Sequence, residues 1–83
     1  MKFKAKRQVI VEEEIDVDDR IYREDDIAWQ IANIILNRSL NSITDDLYSE
    51  RMDVVKSAAE RINDAFRKAD GCIQAVHEGK FEV

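Results

Sequence analysis

The sequence predicts an α+β domain of order β-α-α-β-β, a small antiparallel sheet with two helices packed on one face and the second helix long. Three observations predict it. The chain opens on apolar and polar residues in alternation, its middle switches to a helical period, and its tail carries two short apolar runs around Gly79. Its 83 residues fit one domain, 1–83.

In the opening segment Phe3, Ala5, Val9, Val11, Ile15 and Val17 hold odd positions, and Lys2, Lys4, Lys6, Gln8, Glu12, Glu14, Asp16 and Asp18 hold even ones. A period of two marks a half-buried strand. The run exceeds an ordinary strand, so a bend or bulge is expected near Glu12–Glu14, where three like charges adjoin. Residues 18–24 read as irregular. Asp25 or Asp26 is expected to cap a helix from about Ile27 to Asn37. Apolar residues cover most of that helix, and Gln30, Asn33 and Asn37 make its polar stripe.

Ser42 and Asp45 resemble a capping box ahead of a long helix, about Asp45 to Ala69. Tyr48, Met52, Val55, Ala59, Ile62, Phe66 and Ala69 recur at steps of three and four along it. Gly71 is expected to stop it. Strands at about Ile73–His77 and Lys80–Val83 would close the fold. The rival reading keeps residues 72–78 helical and leaves the first strand to pair with another subunit.

Charge is segregated. Residues 1–11 carry +4, residues 12–26 carry −7, and the whole chain carries −5. The acidic segment could mimic a nucleic-acid backbone in a basic groove, or simply keep a small protein soluble. Glu14, Asp16, Asp18 and Asp25 loosely follow a calcium loop, but Asp19 stands where that loop needs glycine, so no metal is expected. Lys2, Lys4 and Lys6 would line one strand face. A strand followed by two helices resembles the outline of ribbon-helix-helix repressors, which would imply DNA contact by that ribbon. Here an acidic run stands between strand and helix, and it would repel phosphates.

Cys72 and His77 are the only candidates for nucleophilic chemistry, and their spacing aligns them on neither a strand nor a helix. No phosphate-binding loop, dinucleotide fingerprint or zinc spacing occurs, and no cofactor is expected. One cysteine, no membrane-length apolar run and no apolar stretch after Lys2 and Lys4 point to the cytoplasm.

The function expected is therefore non-enzymatic. The chain reads as an acidic protein-interaction module, a regulator or inhibitor of the kind encoded by phages and mobile elements. It would block a protein partner with a basic surface, a nucleic-acid-binding protein being one option, through Glu12, Glu13, Glu14, Asp16, Asp18, Asp19, Glu24, Asp25, Asp26, Trp29, Asn33 and Leu36. The alternative is a DNA-binding transcriptional regulator using the basic N-terminal ribbon. A homodimer is expected as well, because Trp29, Ala32 and Leu36 form an apolar stripe on the side of the first helix away from Ile27, Ile31 and Ile34. Neither nucleic acid nor membrane is an expected partner in the leading reading.

Overall fold

The structure, a computed structural model, describes residues 2–6 and 12–79; of residues 3–6, 12 and 13 it describes the backbone alone. The order is β1 (Lys2–Lys6), β2 (Glu12–Asp16), a single 3₁₀ turn (Asp19–Tyr22), α1 (Ile27–Ile35), α2 (Leu40–Asp46) and α3 (Met52–His77). The protein is mostly helical, which overturns the α+β expectation of a sheet carrying two helices on one face. Among the described residues the strands make only a two-stranded antiparallel ribbon.

The opening segment is a hairpin, not one long strand. Lys2 pairs with Asp16, Phe3 with Ile15, Lys4 with Glu14, Ala5 with Glu13 and Lys6 with Glu12. This register is continuous, so the bulge expected at Glu12–Glu14 does not occur. Every cross-strand lysine position faces a carboxylate position, a favourable arrangement in a ladder. The Lys2 ammonium lies 3.6 Å from the Glu14 carboxylate.

α1 begins where its cap predicts. The Asp26 carboxylate accepts the Ala28 N–H at 2.8 Å. It ends at Leu36, followed by Asn37 at φ 51°, a left-handed position asparagine tolerates. The long second helix of the sequence reading is two helices, with the break at Leu47–Arg51. Ser39, not Ser42, is the N-cap of α2, and Asp45 sits near that helix's end. The Ser39 side chain makes no cap bond; Asn33 Oδ1 on α1 accepts the Leu40 N–H at 2.9 Å instead. At the break, Ser49 Oγ accepts the Arg51 N–H at 3.1 Å, a side-chain turn that turns the chain out of helix.

α3 is the spine. Val55, Ala58, Ala59, Ile62, Ala65, Phe66 and Ala69 are buried along one stripe. From Ala58 to Ala69 they meet Ala28 and Ala32 of α1, Leu40, Ile43 and Leu47 of the α2 region, and Val17 and Ile21 in one core. Both fully buried residues of α1 are alanines, and α3 offers four more, so the two backbones can approach closely. α3 runs through Gly71 to His77, which overturns both the stop at Gly71 and the strand at Ile73–His77. The rival reading's helical tail is the one observed, and within the chain β1 pairs with β2. The strand expected at Lys80–Val83 lies outside the described residues. Gly79, at φ 71°, is the glycine that follows the helix end. The molecule is elongated, 51 × 19 × 19 Å, because α3 alone spans about 39 Å.

Gly71 sits inside a helix, exposed, with nothing within 4 Å of where a Cβ would stand. Gly71→Ala is therefore expected to stabilise the protein by roughly 0.5–1 kcal/mol in denaturant unfolding. A loss of stability would mean that α3 ends at Gly71 after all.

Candidate functional site

The 3₁₀ turn is where the acidic segment meets the spine. Asn63, Phe66 and Asp70 lie three and four residues apart on α3, on one face. Asn63 reads the end of β2 as a neighbouring strand would. Its Oδ1 accepts the Asp18 N–H at 2.7 Å and its Nδ2 donates to the Asp16 carbonyl at 2.9 Å. Arg20 then lays its guanidinium over the buried Phe66 ring, 4.9 Å from the centroid.

Two carboxylates hold that guanidinium. Asp70 accepts from Nη1 and Nη2 at 2.7 and 2.8 Å, and Asp18 accepts from Nε and Nη2 at 3.0 and 2.9 Å. Both pairings are two-pronged, the strong form of a charged hydrogen bond. The Arg20 hydrogen bonds hold the Asp18 and Asp70 carboxyls below the usual carboxylate range, and the two carboxylates keep Arg20 ionised.

The candidate partner residues scatter across several roles. Asp18 belongs to this clamp, and Asp26 caps α1. Asn33 caps α2. The Trp29 indole N–H donates to the Ile21 carbonyl at 2.6 Å, and its ring packs half-buried against the core. Leu36 is likewise half-buried against the core, and Ala32 is fully buried. The stripe expected to face outward thus faces inward, and Ile27 and Ile34, 66% and 77% exposed, lie on the outer face of α1. Glu14 and Asp16 are exposed on the ribbon, while the Glu12 and Glu13 side chains lie outside the description. Asp19, Glu24 and Asp25 are exposed, and none of them has an ion-pair partner among the described residues.

The structure also brings together residues that sequence reasoning missed. The Tyr22 and Tyr48 hydroxyls meet at 3.5 Å although 26 residues separate them in the chain. Both rings stand largely in solvent, 52% and 77% exposed, and the Tyr48 hydroxyl pushes the Tyr22 phenol up. Arg38 reaches forward to Asp46 at 2.9 Å and to Ser42 Oγ at 3.2 Å, tying the connector to α2. Cys72, half-buried, and the exposed His77 stand five residues apart on α3, more than one turn. No group of three or more His, Cys, Asp or Glu is placed to hold a metal ion among the described residues. No described helix is long and apolar enough to cross a membrane.

The clamp should show itself in acid. Both carboxyls have folded-state pKa values below their unfolded ones, so their contribution is complete above about pH 5 and is lost as pH falls through the folded values, below about 4. Arg20→Ala is expected to cost roughly 1–3 kcal/mol at neutral pH and to flatten the acid limb of the stability profile. Chemical denaturation at a series of pH values checks both; an unchanged acid limb would mean that the clamp is not formed in solution.

Comparison with protein-family models, with curated proteins and with solved structures returned no match, so the reading of function rests on these residues.

Proposed function

We propose that this chain is a non-enzymatic, acidic interaction module, a regulator or inhibitor that docks on a partner protein with a basic surface and blocks it. The observation that carries this reading is the division of the acidic segment. Asp18 and Asp26 serve the fold, whereas Asp19, Glu24 and Asp25 stand exposed with no ion-pair partner among the described residues. A cluster of unneutralised carboxylates steers a cationic partner and suppresses anionic ones.

The hairpin register supports the same preference. The lysine positions of β1 lie opposite carboxylate positions of β2, so the basic arm is offset by its own ladder. That weighs against the ribbon as a reader of DNA, whose backbone rewards uncompensated positive charge. Blocking needs bulk as well as charge, and a rod 51 Å long covers a groove that a compact domain of equal mass would not.

With a basic partner recovered from the source cell, affinity measured by calorimetry is expected to fall about tenfold between about 0.05 and 0.5 M salt. Neutralising Asp19, Glu24 and Asp25 together as Asn, Gln and Asn should lower affinity and flatten that salt slope while leaving stability within about 0.5 kcal/mol. Affinity that ignores both salt and the triple substitution would reject the reading. A shift of random duplex DNA in a gel would favour the ribbon instead.

A further inference from the structure

We propose that the Tyr22–Tyr48 pair is the seat for an arginine side chain of the basic partner, stacked on the exposed rings, with exposed carboxylates as the neighbours of each tyrosine in the chain. This rests on the docking reading above and names the chemistry of its contact. Two aromatic rings from distant parts of the chain are brought hydroxyl to hydroxyl, at 3.5 Å, and left in solvent. Among the described residues the other large exposed apolar side chains, Ile27, Ile34 and Val76, are aliphatic and offer no polar group to orient a ligand. Tyrosine offers a ring face of negative potential and a hydroxyl, and it is enriched where partners bind.

The surroundings select a cation. Asp19, Glu24 and Asp25 lie within three residues of Tyr22, and Asp45 and Glu50 lie within three residues of Tyr48. All five are exposed, and none is ion-paired among the described residues. Against them stands Arg23, since Arg51 is held by Asp53 at 2.8 Å. A second copy of this chain would bring the same carboxylates to the same place, so like charge disfavours it.

Arginine suits the seat better than lysine. Its planar guanidinium stacks on rings and presents paired donors to carboxylates, whereas an ammonium does neither. The molecule already contains the arrangement internally, where Arg20 lies over Phe66 between Asp18 and Asp70.

The test uses the full chain and fluorescently labelled oligoarginine and oligolysine of equal length, titrated by anisotropy at low salt. Oligoarginine is expected to bind about fivefold or more tightly than oligolysine. Tyr22→Ala and Tyr48→Ala should each erase most of that preference, Tyr48→Phe should keep it, and Val76→Ala should leave it unchanged. Circular dichroism melts confirm that the variants fold, and Tyr48→Leu replaces Tyr48→Ala if that one does not. Equal affinity for the two peptides, or a preference that survives both tyrosine truncations, overturns the arginine seat and leaves the docking reading standing. If neither peptide binds, both the arginine seat and the docking reading are overturned.

Discussion

The fold depends on one seam, the buried stripe from Val55 to Ala69 on α3. Among the described residues no other element is long enough to form a core alone. α1 has nine residues and α2 has seven, lengths at which an isolated helix is marginal in water. The hairpin has two strands, which is also marginal without a surface to lie on. Each short element becomes stable by placing its apolar residues on α3: Ala28 and Ala32 from α1, Leu40 and Ile43 from α2, Val17 and Ile21 from the chain between hairpin and α1. The polar contacts then fix where each lies. Asn63 catches the end of β2, and Asp70 with Phe66 catches Arg20.

The acidic segment consequently has two jobs within one stretch of sequence. Asp18 and Asp26 satisfy backbone N–H groups at the start of the 3₁₀ turn and of α1, where negative charge is favourable. Their neighbours Asp19, Glu24 and Asp25 make no such bond among the described residues. Because Asp18 and Asp26 fix the backbone on both sides, the free carboxylates are held on a defined surface. Ordering them in advance lowers the entropy lost when a partner arrives.

Legibility in the sequence followed the strength of local signals. The first helix could be read, cap included, since Asp26 and the apolar period agree with its start. The break between α2 and α3 could not be read from periodicity, because Leu47, Tyr48, Met52 and Val55 continue the apolar rhythm across it; the turn is made by the Ser49 hydroxyl. Gly71 misled because glycine is a costly helix residue but not a forbidden one, and an exposed position in a long helix absorbs about 1 kcal/mol. The hairpin lacked a Gly, Pro or Asn signal between Lys6 and Glu12, yet the facing Lys and Glu runs were a clue available in the sequence. Of the site, the exposed acids were legible as charge. The Tyr22–Tyr48 meeting was not, since it depends on how two separate segments pack.

The elongated outline has a consequence for the balance between stability and surface. A compact protein of 9.7 kDa exposes about 5,100 Å², whereas this one exposes 5971 Å². The excess is area that folding did not remove from water, and its cost is a thinner hydrophobic gain per residue. The same excess is area that a second molecule can cover. A chain of this mass built as a ball would be better buried and would have less to offer; built as a rod, it leaves part of its solvation free energy to be released only on contact.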